Sequence, residues 1–383
     1  MTRFLLLLGI FLTPFAVLGE NLQVQNVSGT VSCEKCLKIP DYEVIFDSAS
    51  FRPLPEGVTE EKLIEAFCSA WRAIDEKLAI VAELQKNPKA GTSGKEIEKL
   101  EGEIHTLYHQ MMDWIGPVWY LAPQKVEVKR FVFFLLARAL EGDQYEAAYV
   151  LSRELMARKA YEENPVLYEM AGISAFMLSK FDVAHHCFTQ AQKSNALSGT
   201  AGVYLDLIPY YTQAWKTEQA LRNQESRKGT APRVLLTTTR GEVEIELFED
   251  SAPQTVQAFL KLVSEGFYDG DSFSTVLSGL LARTNRVASG VTIPDEFTLL
   301  SARKHFRGSV VMMHGAGKDS GHSQFFIMLV PAPQLDGKFT VFGRVTRGME
   351  VVSALNRVNE RQPEKNTPGT KPDQILNVKI LNP

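Results

Sequence analysis

The chain has 383 residues, more than one typical globular core accommodates, and this length predicts two or three domains. Hydrophobic residues make up 45% and charged residues 22% of the chain, which argues against a disordered or fibrous protein. The net charge of -4, without a long Lys/Arg cluster, argues against nucleic acid or anionic lipid as a partner.

Residues 1–19 have the layout of a secretory signal peptide. Arg3 precedes an apolar run over residues 4–18, and small or modest residues follow it. The run is interrupted by Pro14 and is shorter than the roughly 20 residues that a membrane span needs. We therefore expect an exported protein, periplasmic or extracellular, with no membrane span after cleavage. An uncleaved anchor is the alternative.

Cys33 and Cys36 form a C-E-K-C motif in the segment 20–56, which is predicted to be rich in turns. In an exported protein we expect a local structural disulfide between them, with a metal site or a redox-active pair as alternatives. The adjacent His185 and His186 lie in a predicted helix, where neighbouring side chains point about 100° apart and cannot chelate one ion. No metal or cofactor is expected.

A helical domain is predicted over residues 57–228. From Thr59 onward, "TEEKLIEAFCSAWRAIDEKLAIVAEL" repeats apolar residues at spacings of three and four, and a second such segment follows the breaker "NPKAGTSG". These two segments predict a helical hairpin.

Internal repetition follows the hairpin. "DQYEAAYVL" and "KFDVAHHCF" place Tyr145 and Phe181 at equivalent positions of units about 36 residues long, a period typical of stacked helix-turn-helix repeats. The unit that starts at Pro165 resembles a tetratricopeptide repeat. A last helix is predicted from about Pro209 to Gln224. The repeats imply a concave face, which is either an open groove or packed against the rest of the chain.

The polar stretch "RNQESRKGTAP", residues 222–232, is predicted to be a linker, and the sequence pattern changes after it. "RVLLTTTRGEVEIELF" predicts two strands with a turn at 239–241, and a helix should begin near Pro253. Phe273 begins another segment with the pattern of a strand.

Five motifs in order then resemble the cyclophilin family of peptidyl-prolyl cis-trans isomerases. They are the hairpin and helix just described, "TIPDEF", "GSVVMMHGAG", "SQFFIML" and "LDGKFTVFGRVTRGMEVV". The resemblance implies an all-β domain over residues 232–383, a closed antiparallel barrel of eight strands with a helix over each end. It also implies isomerase activity on X-Pro bonds and a role in protein folding.

The resemblance further implies that the catalytic centre is largely lost. Where the family typically carries Phe-His-Arg, this chain has Phe273, Ser274 and Thr275, so Thr275 takes the place of the catalytic arginine. Arg283 stands where the family has Gln, and its guanidinium could reach the proline nitrogen from another direction. The alternative is a surface arginine paired with a carboxylate.

The family's substrate pocket maps onto seven positions of this chain. Gln324, Phe326 and Leu335 match the family, whereas the others differ from it. An apolar pocket is therefore expected to survive without its polar rim, although Gln324 and Phe326 are alternatively barrel core. The seven positions are Leu280, Leu281, His314, Gln324, Phe326, Leu335 and Phe339.

These features predict a protein that binds protein or peptide segments, among them proline-containing ones, with weak or absent isomerase activity. Whether it is an enzyme stays open. The alternatives are an active extracytoplasmic isomerase with a rearranged site and a structural envelope scaffold. The sequence does not indicate the oligomeric state or the client.

Overall fold

The computed structural model describes residues 42–46, 57–86, 93–159 and 164–382. The predicted signal peptide and the predicted Cys33–Cys36 disulfide lie outside these residues. Helices dominate the described chain up to residue 228: α1 (Tyr42–Phe46), α2 (Glu60–Lys86), α3 (Ser93–Leu121), α4 (Val126–Glu141), α5 (Tyr145–Ala157), α6 (Pro165–Met177), α7 (Phe181–Lys193) and α8 (Gly199–Lys228).

The first long helix follows its sequence pattern. Thr59 caps α2, because its hydroxyl oxygen accepts a hydrogen bond from the Lys62 amide at 3.3 Å. The predicted apolar stripe is buried and includes Phe67 and Trp71, whose rings pack edge-on against Phe131 of α4. α2 and α3 pack against each other, as the predicted hairpin requires.

Two further hairpins, α4–α5 and α6–α7, follow. Tyr145 and Phe181 begin α5 and α7, and both side chains are buried. Gly172 allows α6 to approach α7 closely, because a Cβ at this position would lie 2.5 Å from the Phe188 ring. From Glu169 to Met177 every residue of α6 is buried, so this helix does not line an open groove. The tetratricopeptide-like classification stays a prediction.

The last helix is longer than predicted. α8 begins after Ser198, whose hydroxyl oxygen accepts a hydrogen bond from the Ala201 amide at 3.2 Å, and Pro209 lies inside it rather than in its first turn. Buried neighbours on the same helix, including Tyr211, offset the hydrogen bond that a proline cannot donate. The helix also runs through most of the predicted linker and ends at Gly229, which has a left-handed φ of 65°.

Beyond Gly229 the chain forms a curled antiparallel sheet. Its strands, in the described part of the chain, are β1 (Arg233–Thr238), β2 (Gly241–Leu247), β3 (Phe273–Leu277), β4 (Leu281–Thr284), β5 (Ser309–His314), β6 (Gly321–Met328), β7 (Thr340–Arg347), β8 (Val358–Asn359) and β9 (Ile375–Asn382). Their order is β8-β3-β4-β6-β5-β7-β2-β1-β9. A bridge between Ser272 and Gln374 joins the start of β3 to the start of β9 and closes the sheet.

The predicted fold class is confirmed, with nine strands in place of eight. The additional strand is β8, two residues that pair with Thr275 and Val276 of β3. The hairpin turn after Thr238 and the helix α9 (Pro253–Ser264), which has proline in its first turn, also agree with the prediction. α9 and a short helix α10 (Met349–Ser353) contribute apolar side chains to the barrel core.

Among the residues that the structure describes, none of the helices combines the length and apolarity that crossing a bilayer requires.

Glu296, from the "TIPDEF" motif, caps the N-terminus of α9. Its carboxylate accepts hydrogen bonds from the Gln254 amide at 3.0 Å, the Thr255 amide at 2.9 Å and the Thr255 hydroxyl at 2.6 Å. Because it is buried and charged at the positive end of a helix dipole, Glu296→Ala should lower the free energy of unfolding by about 2–3 kcal/mol. Urea denaturation measures this change. Glu249→Ala, at an exposed position just before the helix, is the control, and an equal loss in both variants would contradict the capping role.

Candidate functional site

β3 and β4 place Thr275 and Arg283 directly opposite each other in an antiparallel register. Arg283 Nη2 donates hydrogen bonds to Thr275 Oγ1 at 2.9 Å and to Glu360 Oε1 at 3.1 Å. The arginine is 6% exposed, and its Nε has no hydrogen-bond partner in the described part of the chain. The carboxylate partner expected in the alternative interpretation is present, but Arg283 is buried rather than on the surface.

Arg283 therefore brings a buried positive charge to the position next to Thr275. Burial and the charge of Arg361 lower the pKa of the guanidinium, while Glu360 raises it. An arginine stays protonated at neutral pH even after such a shift. The pKa of nearby His322 is lowered by burial first, and then by His314 and Arg283. His322 is thus neutral at pH 7, and its Nδ1 accepts a hydrogen bond from the backbone amide of Gln324 at 3.3 Å.

Five of the predicted pocket residues belong to one larger apolar cluster that is separate from the barrel core. They come from the start of β4, from β6 and from the loop before β7, and the most exposed of them, Phe339, is only 7% exposed. The rings of Phe326 and Phe339 meet edge-on, with centroids 5.8 Å apart. The side chains are thus packed together, and a proline ring can enter only if some of them move. The five are Leu280, Leu281, Phe326, Leu335 and Phe339.

His314 lies at the edge of this cluster. Its ring packs against Phe339 in a tilted arrangement, with centroids 4.5 Å apart and planes 31° apart. Its two ring nitrogens lie 2.7 Å from the Gly315 carbonyl oxygen and 2.8 Å from the Lys338 carbonyl oxygen. His314 therefore ties the end of β5 to the loop that precedes β7.

Gln324 is placed differently. It is 9% exposed, and its side-chain amide donates hydrogen bonds to the carbonyl oxygens of Thr284 at 3.2 Å and Asn285 at 2.5 Å. Its contacts hold the end of β4 against β6, a structural role that agrees with the barrel-core alternative.

Sequence reasoning missed the contacts that the helical region makes with this site. Asp143, in the turn between α4 and α5, accepts hydrogen bonds from Ser278 Oγ at 3.0 Å and from the Gly279 amide at 2.9 Å. Ser278 and Asp143 are 135 residues apart along the chain, and no periodicity or motif indicates such a pair.

Within residues 42–46, 57–86, 93–159 and 164–382, no group of three or more His, Cys, Asp or Glu side chains is arranged to hold a metal ion.

The chain is similar to known proteins. The family model "Cyclophilin type peptidyl-prolyl cis-trans isomerase/CLD" matches residues 233–380. Peptidyl-prolyl cis-trans isomerase B of Bacillus subtilis (strain 168) is 44% identical over 121 residues, which are 30% of this chain and 83% of that protein. A peptidyl-prolyl cis-trans isomerase of Helicobacter pylori (strain ATCC 700392 / 26695) is 40% identical over 129 residues, 32% of this chain and 77% of that protein.

Mouse peptidylprolyl isomerase domain and WD repeat-containing protein 1 is 30% identical over 207 residues, which are 51% of this chain; the chain spans only 31% of that relative. A crystal structure of a Cryptosporidium parvum cyclophilin type peptidyl-prolyl cis-trans isomerase aligns with 40% of this chain and 99% of its own, at 25% identity and a TM-score of 0.34. The matches to the bacterial isomerases cover most of those proteins, and the family model matches the residues of the barrel. The chain belongs to the cyclophilin-type peptidyl-prolyl cis-trans isomerase family.

Proposed function

We propose that this is an exported protein whose cyclophilin domain binds proline-containing protein segments and isomerises them slowly or not at all. The observation that carries the proposal is the pairing of Thr275 with the buried Arg283 at the position where the family resemblance places a catalytic arginine. The packed apolar cluster around Phe326 supports slow turnover, because a proline ring has to displace side chains in order to enter it. Export rests on the layout of residues 1–19.

The chemistry of the reaction explains why this pairing matters. Rotation about a peptide bond has a barrier of about 18–20 kcal/mol, because the twisted state loses amide resonance. In that state the proline nitrogen regains a lone pair, and a donor that binds it stabilises only the transition state. Thr275 has no guanidinium, and its side chain is too short to reach the proline nitrogen. Loss of one preorganised donor costs about 10²–10³ in rate in other enzymes.

A second candidate is an active isomerase in which Arg283 replaces the missing arginine. The observation in its favour is the unpartnered Nε of Arg283, a buried donor beside Thr275. Against it, Nη2 of the same guanidinium is already engaged by Thr275 and Glu360. To reach a substrate, Arg283 would have to leave at least one of these partners.

An isomerisation assay distinguishes the two candidates. We expect the unmutated protein to bind an Ala-Pro peptide but to turn it over about 10²–10³-fold more slowly than the Bacillus subtilis relative measured alongside it. Arg283→Lys keeps the charge without the planar fork, and Arg283→Gln removes both, so together they report on Arg283. Neither substitution should lower the residual rate.

Three outcomes count against the preferred function. Turnover equal to that of the relative would show that Thr275 does not disable the site. If the rate falls in Arg283→Gln and also stays below that of the unmutated protein in Arg283→Lys, the Arg283 guanidinium is catalytic. This result would favour the second candidate. Absence of peptide binding would remove the proposed ligand.

A further inference from the structure

Two loops of the barrel border the closed apolar cluster. The first, residues 278–279, joins β3 to β4 and leads directly into Leu280 and Leu281. The second, residues 336–338, lies between Leu335 and Phe339. We call these two stretches the pocket loops. Because each stretch is joined directly to members of the cluster, movement of either one would displace cluster side chains.

The helical region holds the first pocket loop through Asp143. This aspartate is 1% exposed, and besides Ser278 and Gly279 it accepts hydrogen bonds from Arg357 Nη2 at 2.7 Å and from the Tyr145 hydroxyl at 3.0 Å. A buried carboxylate with four donors has little freedom, because each lost partner leaves charge without compensation. The position of the loop is therefore fixed by a residue outside the barrel.

The helical region holds the second pocket loop through Tyr210 of α8. The Tyr210 hydroxyl donates a hydrogen bond to the carboxylate of Asp336. The side chain is 42% exposed, and its partial burial, followed by Asp336 itself, raises the pKa of this hydroxyl, so it remains a donor at neutral pH. On the barrel side, the backbone amide of His305 donates to Asp336 Oδ1 at 2.9 Å, and its ring Nδ1 lies 2.8 Å from the same oxygen.

We propose that Asp143 and Tyr210 are positioning residues of the cyclophilin site and that together they keep the pocket loops closed over the apolar cluster. The identity of the ligand in this inference rests on the proposed function. A proline-containing segment binds after the loops move, and movement must break the bonds to Asp143 or Tyr210. Weakening both contacts should therefore favour the open state and tighten peptide binding.

The test is the double variant Asp143→Asn/Tyr210→Phe in the full chain. Asparagine keeps the size of the side chain and tolerates the left-handed backbone at this position, φ 57°, while phenylalanine removes only the hydroxyl. Hydrogen exchange should become about tenfold faster at the Gly279 and Leu280 amides, without a matching rise in β5 and β6. Affinity for an Ala-Pro peptide should increase about tenfold.

Glu146→Gln is the matched control. Glu146 pairs with Arg307 of the barrel at 2.8 Å, so it belongs to the same interface between the helices and the barrel, but it does not contact a pocket loop. Its substitution should leave the exchange of Gly279 and Leu280 unchanged. If the double variant is poorly folded, Ser278→Ala/Tyr210→Phe removes a donor to Asp143 from the barrel side and leaves the buried carboxylate in place.

Exchange that stays at the control level in the pocket loops, or that rises equally across β5 and β6, would overturn the inference. The second pattern would mean that the contacts only stabilise the fold. Faster exchange confined to the pocket loops with no peptide binding would support the positioning role and count against the proposed function alone.

Discussion

Replacing Thr275 by Arg and Arg283 by Gln in the same chain is expected to raise isomerisation of a proline peptide by about 100-fold. The two positions face each other across β3 and β4, and the double substitution exchanges the present pair for the pair that the family resemblance implies. The new guanidinium would donate to the proline nitrogen in the twisted state, an interaction absent from the ground state.

The single variants should gain much less. Thr275→Arg alone places a second cation opposite Arg283. Glu360 is already bonded to Arg283, so the two guanidinium groups share one carboxylate and repel each other. Arg283→Gln alone supplies no cationic donor. Measured values of kcat/KM for the four proteins, including the unmutated one, should therefore be strongly non-additive.

Thr275→Lys/Arg283→Gln is the control for charge. It places one positive charge on β3 without the planar donor geometry of arginine, and it should recover only part of the rate. Peptide affinity has to be measured in parallel, because the closed cluster around Phe326 can limit entry even when the catalytic group is restored. If the double variant binds the peptide and still does not turn it over, the missing arginine is not the reason for low activity.

The parts of the fold that follow from local chemistry were predicted correctly. The stripe of α2 that includes Phe67 and Trp71 follows from helical spacing, and the start of α9 follows from Pro253, whose fixed φ suits a first helical turn. The turn before Gly241 follows from the alternation of the two strands that it joins. Each of these features depends on residues that are close together in the sequence.

The site was predicted only as far as the family resemblance extends. The sequence placed Phe326 and Leu335 in one pocket, but it could not show that these side chains are buried, or that the loops beside them are held by Asp143 and Tyr210. Burial of Arg283 was missed for the same reason, since its partner Glu360 is distant in sequence. Contacts between segments with no shared periodicity leave no local pattern.

The length of α8 illustrates the same limit. A polar stretch that ends in Gly-Thr-Ala-Pro is typical of a linker, yet it is helical up to Lys228. Glu218 and Glu225 on this helix are both paired with Arg303 of the barrel, at 2.8 Å and 2.5 Å. The helix is thus stabilised by charges from the barrel, and these cannot be read from the composition of the stretch itself.

Arg303→Met is expected to lower the free energy of unfolding by about 3 kcal/mol at neutral pH. The Arg303 side chain is 1% exposed, donates to both carboxylate oxygens of Glu218, and lies 3.9 Å from the centre of the Phe248 ring. Removing it leaves the buried Glu218 with Arg222 as its close partner, so the loss falls at the lower end of the range for broken buried pairs. Urea denaturation at neutral and acidic pH measures it.

The pH dependence identifies the charge as the cause. Burial alone would raise the pKa of Glu218, but hydrogen bonds and charge from Arg303 and Arg222 outweigh it and hold the pKa below its usual value. A lowered pKa means that the stabilisation is fully present above the unfolded value of about 4.3 and is lost as the pH falls through the folded value. The deficit of Arg303→Met should therefore shrink in acid, because Glu218 becomes neutral in both proteins.

Arg347→Met is the control for this prediction. Arg347 pairs with Glu242 and Glu244 at 3.6 Å and 3.7 Å, but its side chain is 60% exposed, so its loss should cost less than about 1 kcal/mol. A deficit for Arg303→Met that is the same at neutral and acidic pH would mean that packing against Phe248 dominates. A deficit that fades in acid would mean that the ion pair with Glu218 stabilises the interface through which the helices hold the pocket loops.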